Sequence, residues 1–117
     1  MKKYVKDLSV KAVEVPHEAY VLLKLTDREP LPECVPGQFV EVKVEGSPQT
    51  FLRRPISINY VDREKNELWL LIKKVGEGTH KLAELKVGDT LNLVFPLGNG
   101  FSPAGRQGEK VLLVGGG

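Results

Sequence analysis

The sequence is short of the residues that build covalent cross-links and clustered metal sites. Its 117 residues include one cysteine, Cys34, and two histidines. A single cysteine excludes an internal disulfide and any metal or iron–sulfur site made from several cysteines of this chain. His17 and His80 are too isolated to indicate a metal site, and no residue near Cys34 would activate its thiol. We therefore assign no catalytic residue and no metal ligand, and we expect a reducing cytoplasm.

Long apolar runs and a strong excess of one charge are also missing. The N-terminal MKKYVKDLSV has no continuous apolar core behind its lysines, so we expect neither a signal peptide nor a membrane span. The net charge is only +2, and the charges are interspersed, so composition gives no nucleic-acid footprint. The length predicts one domain, and 41% hydrophobic residues are ordinary for a globular protein.

What the sequence does contain is alternation of apolar and polar residues. Six segments have the pattern of short strands: residues 5–15, 20–26, 40–44, 56–61, 68–73 and 91–95. One short helix is predicted over residues 79–85, with Thr79 as its N-cap. About six short strands with one helix predict an all-β protein, a closed or nearly closed barrel.

The C-terminal stretch EKVLLVGGG differs from the rest. An apolar run at residues 111–114 is followed by three glycines, which is typical of the first buried parallel strand of a nucleotide-binding α/β domain. We therefore expect a chain cut at the start of a second domain. The alternative is a terminal barrel strand followed by a flexible glycine tail.

The stretch FLRRPISINY, residues 51–60, places two arginines and a proline at the entrance of a predicted strand. Pro55 fits a strand start or an edge because it cannot donate a ladder hydrogen bond, and it biases Arg54 toward extended backbone. The Arg54 guanidinium can then grip a phosphate, and the Ser57 hydroxyl can bond to a heteroatom of a planar ring. The alternative is a surface arginine pair lying over apolar neighbours, with Ser57 filling a tight place.

Two glycine-containing stretches are further candidates. In KKVGEGTHKL, residues 73–82, glycines on either side of Glu77 precede the helix, whose first N–H groups at Thr79 and His80 would face outward as an anion site. Such a pair of glycines is most often a simple strand-to-helix turn. In FPLGNGF, residues 95–101, two glycines around an asparagine form a rigid turn, which either lies against an aromatic ligand or is a packed exit loop.

Taken in order, FLRRPISI, LLIKKVGEGT and PLGNGF, followed by KVLLVGGG, resemble the N-terminal flavin-binding domain of the ferredoxin reductase superfamily. More narrowly, they are similar to the electron-transfer subunits of the two-subunit, NAD-linked bacterial dihydroorotate dehydrogenases. The resemblance implies a six-stranded antiparallel Greek-key barrel with a capping helix, binding FAD, over residues 1–102. Residues 103–117 would be the linker and first strand of a truncated nicotinamide-binding α/β domain.

Carried over residue by residue, the resemblance implies an FAD site of nine residues. Arg54 would bind the diphosphate, and Gly78 and Thr79 would complete the phosphate cradle at the helix start. Ser57 would approach the flavin ring near its reactive nitrogen. Pro55 and Ile56 would line the ring and the ribityl chain, and three residues would line the flavin through backbone groups: Leu71, Ile72 and Lys73. Many superfamily members carry a stacking aromatic where Ile56 stands, so no stacking role is expected of it.

The resemblance also implies components outside this chain. These are a two-iron, two-sulfur cluster (2Fe-2S) held by four cysteines, NAD, and a catalytic FMN-bearing dihydroorotate dehydrogenase subunit in a heterotetramer. Because this chain has only Cys34, we expect it to supply at most the FAD half-site of a relay from dihydroorotate to NAD in pyrimidine biosynthesis. No nucleic-acid or membrane partner is expected.

Two alternatives stay open. The first is the FAD module of another NAD(P)H-linked reductase, such as a ferredoxin or sulfide reductase. The second, a remote one, is a β-barrel nucleic-acid-binding module with a groove of four cations: Arg53, Arg54, Lys73 and Lys74. Against the second, the aromatic residues that base stacking would need are few, and three are expected in the core: Trp69, Phe95 and Phe101.

Overall fold

The computed structural model describes residues 2–101 and 107–116. The described residues form seven strands and one helix: β1 (Tyr4–His17), β2 (Tyr20–Thr26), β3 (Phe39–Val42), β4 (Arg54–Ser57), β5 (Tyr60–Asp62), β6 (Glu67–Lys73), α1 (Glu77–Leu82) and β7 (Thr90–Leu97). The predicted class, all-β with one short helix, is confirmed.

The strands form one antiparallel sheet that curls toward closure. Their order across the sheet is β4-β3-β7-β1-β2-β6-β5, so the two outer strands, β4 and β5, are successive in the chain. Only Ile58 and Asn59 separate them. The Ile58 N–H donates to the Gln38 carbonyl (3.1 Å) beside β3, and the Asn59 N–H donates to the Trp69 carbonyl (2.9 Å) in β6. The sheet edges therefore meet at this dipeptide.

The number of strands differs from the prediction: the described residues contain seven, not six. The predicted strand at residues 56–61 is two short strands because the chain changes partners within it. β4 pairs with β3, whereas β5 pairs with β6. Alternation of apolar residues identifies extended backbone but not the strand to which that backbone bonds.

The core lies inside the curl and consists mainly of leucine and valine. Residues with no exposed surface come from five strands, among them Leu8, Leu23, Val40, Leu70, Leu93 and Phe95. The helix joins this core through Leu82, which is buried. Burial of these side chains provides the main driving force for folding, at about 1.5–3 kcal/mol each.

The helix begins and ends earlier than predicted, at Glu77 and Leu82, with Gly76 as the N-cap. Thr79, the predicted N-cap, instead lies in the first turn, where its hydroxyl accepts hydrogen bonds from the N–H groups of Val75 (2.9 Å) and Gly76 (3.0 Å). The His80 N–H, predicted to be free, donates to the Gly76 carbonyl at 3.0 Å. The N–H groups without an intrahelical acceptor are therefore those of the first three helical residues, Glu77, Gly78 and Thr79.

Residues 107–116 contain no strand, and the side chains of Val111–Val114 are 71–88% exposed. The proposed division into a barrel at residues 1–102 and the start of a second domain at residues 103–117 stays a prediction. Within the described ranges, no helix is long and apolar enough to cross a membrane.

Candidate functional site

The two adjacent arginines contact different parts of the fold. The Arg53 guanidinium donates to the carbonyls of Glu41 and Asn92 (3.3 Å each) and also to the Asn92 side chain. Glu41 lies in β3 and Asn92 in β7. Arg53 is therefore a structural residue that ties these two strands together, and the cationic groove of the nucleic-acid hypothesis lacks one of its four members.

Arg54 is the first residue of β4 and is exposed. Among the described residues its guanidinium has no hydrogen-bond or ion-pair partner. A guanidinium offers five donors in a planar fork that matches phosphate or carboxylate oxygens. Arg54 is thus available to an anionic ligand, and Arg53 is not.

The strand entrance and the helix start lie side by side. A β-carbon built on Gly78 would lie 3.5 Å from the Arg54 Cγ and 3.1 Å from the Thr50 Cγ2. Gly78 is also buried. The distance to Thr50 is tighter than a normal contact, so a side chain at this position would press on the loop before β4, whereas the distance to Arg54 is an ordinary van der Waals contact. The two stretches that the sequence marked as anion-binding candidates therefore form one site.

Two cavities adjoin at this point. The helix cavity, about 340 Å³, is lined by residues 49–52, Arg54 and residues 75–79. The strand cavity, about 290 Å³, is lined by residues 54–57, 71–73, Val75 and Thr79. Arg54, Val75 and Thr79 line both. The described structure thus brings all nine residues of the predicted site to the walls of these two adjoining cavities.

The two cavities differ in chemistry. The strand cavity offers apolar side chains from Ile56 and the half-exposed Leu71, with the Ser57 hydroxyl and the Lys73 amine available for hydrogen bonds. The helix cavity offers backbone from the start of α1 and the polar loop before β4. Arg54, whose guanidinium has no partner among the described residues, lines both cavities. This arrangement suits an elongated ligand with a ring system at each end and an anionic centre.

Sequence reasoning missed the residues of the loop before β4. Four loop residues line the helix cavity, together with Val75 and Glu77: Gln49, Thr50, Phe51 and Leu52. Loops have no hydrophobic period by which to identify a buried or ligand-facing side. The available signal was the apolar pair Phe51-Leu52, which follows a polar turn and which no predicted strand needs for its core.

The stretch FPLGNGF lines neither the helix cavity nor the strand cavity. A β-carbon on Gly100 would clash with the Val35 side chain, and the Phe101 N–H donates to the Pro36 carbonyl at 2.8 Å. This stretch is the packed exit loop of the two alternatives. The expectation that Phe101 is a core residue is wrong, because its side chain is 74% exposed. The ring instead lies against Gly37 in the segment before β3, where a built β-carbon would be 3.1 Å from the Phe101 Cδ2.

Phe101 lines a third depression, of about 370 Å³, together with Cys34 and residues 58–61. Burial raises the pKa of the Cys34 thiol, so the thiol stays protonated near neutral pH. This agrees with the expectation that Cys34 is not an activated nucleophile. In the described residues, no group of histidine, cysteine or carboxylate side chains could hold a metal ion.

Residues 7–101 match the family model described as the oxidoreductase FAD-binding domain. The chain is 45% identical over 86 residues to the "Dihydroorotate dehydrogenase B (NAD(+)), electron transfer subunit" of Lysinibacillus sphaericus, which covers 73% of this chain and 34% of that protein. It is 41% identical over 109 residues to the protein of the same name from Shouchella clausii, covering 92% of this chain and 42% of that protein. The chain spans about a third to two fifths of the length of these curated relatives.

Solved structures of reductases also superpose on this chain. The "Ferredoxin reductase in carbazole 1,9a-dioxygenase" superposes with a TM-score of 0.75 at 27% identity, covering 88% of this chain and 32% of that one. Phthalate dioxygenase reductase superposes with a TM-score of 0.70 at 21% identity, covering 88% of this chain and 32% of that one. The second likeness concerns the fold alone.

Proposed function

The chain belongs to the oxidoreductase FAD-binding domain family, and from this membership we propose that it holds FAD across the helix cavity and the strand cavity. The observation that carries the proposal is that the side-chain stem of Arg54 lies beside Gly78: a β-carbon built on Gly78 would lie 3.5 Å from the Arg54 Cγ. Arg54 lines both cavities, and its guanidinium has no partner among the described residues, so it is available to an anion bound near the start of α1.

The residues present fit the cofactor. A dinucleotide has two ring systems joined by a diphosphate, and the site has two adjoining cavities that are both lined by a cation. Arg54 would bind the diphosphate through charge-assisted hydrogen bonds, each worth about 1.5–3 kcal/mol. Gly78 permits the backbone to approach, and Thr79 holds the turn before it through its bonds to Val75 and Gly76.

The strand cavity would take the flavin ring. Ser57 would offer its hydroxyl to the edge of the ring, and Pro55, Ile56 and residues 71–73 would line its faces and the ribityl chain. Ile56 is aliphatic, so it excludes water from the ring without stacking on it. Bound FAD supplies two-electron chemistry that connects a hydride donor or acceptor to single-electron carriers.

We place this domain in the electron-transfer subunit of an NAD-linked dihydroorotate dehydrogenase. The support is the 41–48% identity to proteins with that name, against 26% and 27% for two ferredoxin-linked reductases of known structure. In that role the domain passes electrons from dihydroorotate oxidation toward NAD in pyrimidine biosynthesis. The 2Fe-2S cluster, the NAD site and the FMN-bearing catalytic partner lie outside this chain, in a cytoplasmic heterotetramer.

Flavin binding is tested by titrating the purified chain with FAD and following the visible absorption and fluorescence. We expect saturable binding by the wild type and a Kd about tenfold to a hundredfold higher for Arg54→Ala. Arg28→Ala, which removes an exposed arginine outside both cavities, is the matched control and should bind as the wild type does. A wild-type chain that takes up no FAD would contradict the proposal.

The wider role is tested in the assembled enzyme containing this chain. We expect Arg54→Ala to lower dihydroorotate-driven NAD reduction while leaving dye reduction at the catalytic subunit unchanged. Loss of both activities would indicate a fault in assembly. If NAD reduction were unaffected, this domain would not carry the electrons.

A further inference from the structure

The side chain of Phe51 is 87% exposed, more than any other phenylalanine, tyrosine or tryptophan in the described ranges. Its neighbour Leu52 is 69% exposed. Both line the helix cavity. Neither side chain packs in the core. Two adjacent exposed apolar side chains that line a cavity are a candidate contact surface for a ligand.

The loop that carries Phe51 is anchored on the side of the cavity. The Thr50 N–H donates to the Ser47 carbonyl (3.0 Å), and the Ser47 hydroxyl donates to the Thr50 hydroxyl (3.0 Å). The Thr50 methyl group in turn packs against Gly78. On the other side of Phe51, the bonds of Arg53 to β3 and β7 fix the chain. The position of Phe51 beside the cavity is therefore set from both ends.

The shape of the site decides which part of a dinucleotide reaches Phe51. Arg54 and Thr79 line both cavities, so a diphosphate bound there directs the two ring systems of the ligand into different cavities. Under the proposed function the flavin ring takes the strand cavity. The base at the other end then enters the helix cavity, where Phe51 supplies the only aromatic ring among the lining residues.

We infer that Phe51 packs against the adenine of FAD and makes the helix cavity the adenosine subsite of this domain. This inference rests on the proposed function. Contact between a base and an aromatic side chain tightens binding about fivefold to a hundredfold in other systems. Phe51 is therefore a specificity-determining residue that favours FAD over FMN, since FMN has the same flavin ring and phosphate but no adenosine.

The test compares Kd values for FAD and FMN in the wild-type chain and three variants. Phe51→Ala should raise the Kd for FAD about tenfold and leave the Kd for FMN unchanged. Phe51→Trp keeps an aromatic face and should retain FAD affinity. Val87→Ala removes an exposed apolar side chain outside both cavities and should change neither value.

The outcomes separate the inference from its premise. If the wild type binds neither flavin, the proposed function fails and this inference with it. If the wild type binds FAD and Phe51→Ala binds it equally well, the inference alone is overturned. It is also overturned if the variant loses FMN and FAD affinity to the same extent, because Phe51 would then act on the flavin end or on the loop. Thermal unfolding of Phe51→Ala checks that the fold is kept.

Discussion

Arg53 and Arg54 are neighbours in sequence, yet one guanidinium is bonded to two strands and the other has no partner among the described residues. Successive residues of extended backbone face opposite ways, so a pair of identical side chains at a strand entrance is divided between two environments. The sequence marks both residues as candidates for an anion. Only the register of β4 on β3, with Arg54 opposite Val42, decides which one is free.

Arg53→Met is expected to destabilise the fold, and Arg54→Met is not. The first variant keeps the aliphatic stem but removes the donors that tie β3 to β7, which should lower the free energy of unfolding by about 1–3 kcal/mol. Urea unfolding followed by circular dichroism measures the difference. A loss of stability in Arg54→Met equal to that in Arg53→Met would contradict the separate roles.

Gly78→Ala should weaken FAD binding without unfolding the chain. Alanine favours a helix by about 1 kcal/mol over glycine, but its β-carbon would lie 3.1 Å from the Thr50 Cγ2 and 3.5 Å from the Arg54 Cγ. We expect the strand entrance to shift and the Kd for FAD to rise by up to about tenfold, or about 1.4 kcal/mol.

The double variant Gly78→Ala with Thr50→Ser gives the control for this clash. Serine removes the methyl group that crowds the new β-carbon but keeps the hydroxyl that bonds Ser47. Much of the FAD affinity should return. If affinity stays low, the close approach of backbone and ligand at Gly78, rather than its contact with Thr50, limits binding.

At the scale of elements, the helix and strand boundaries show what local pattern leaves undecided. Thr79 has the chemistry of an N-cap, and its hydroxyl does bond backbone N–H groups, but it acts from inside the first turn while the extended backbone of Gly76 begins the helix. β4 and β5 read as one strand in the sequence because both are extended. Their separation depends on β3 and β6, which are remote in sequence.

A bulge in β1 supports an ion pair across the sheet. Pairing of β1 with β2 shifts between Val10 and Ala12, which leaves Lys11 as the extra residue, and its amine reaches the Glu67 carboxylate of β6 at 2.7 Å. The Glu67 side chain is only 6% exposed. The hydrogen bond from Lys11, with a further one from the Trp69 indole, holds the pKa of Glu67 below its ordinary value.

Because the folded state lowers this pKa, the pair contributes stability that is present above the ordinary pKa of a glutamate. That stability is lost as the pH falls through the lower folded value. Glu67→Gln should therefore be less stable than the wild type near pH 7, with the difference shrinking as the pH falls below the ordinary glutamate pKa of about 4.3. Urea unfolding across these pH values measures it, with Lys86→Met as an exposed-lysine control. A difference that does not change with pH would contradict the role of the carboxylate charge.

At the scale of the whole molecule, closure of the sheet builds the candidate site. The strand cavity is lined by residues of β4 and β6, which are not neighbours in the sheet order and come into contact only because the sheet edges meet. Local pattern identified Arg54 and Gly78 separately, and their joint role came from the family resemblance. The loop at residues 49–52 could not be assigned in this way, because its place at the site depends on closure and on turn bonds that have no sequence period.

The apolar run Val111–Val114 offers a last test, of the division of the chain into a barrel and the start of a second domain. If the run were a barrel strand, replacing its leucines would remove buried apolar surface and destabilise the barrel. If it belongs to a following domain, the same replacements would leave the stability of the barrel unchanged. At 71–88% exposed, the run is not buried by the described barrel. We expect the double variant Leu112→Ser, Leu113→Ser to keep the wild-type Tm. By contrast, Leu93→Ala, at a fully buried position of β7, should lower the free energy of unfolding by about 2–5 kcal/mol and lower the Tm accordingly. A comparable fall in the Tm of the serine variant would assign the run to the barrel and remove the argument for a second domain.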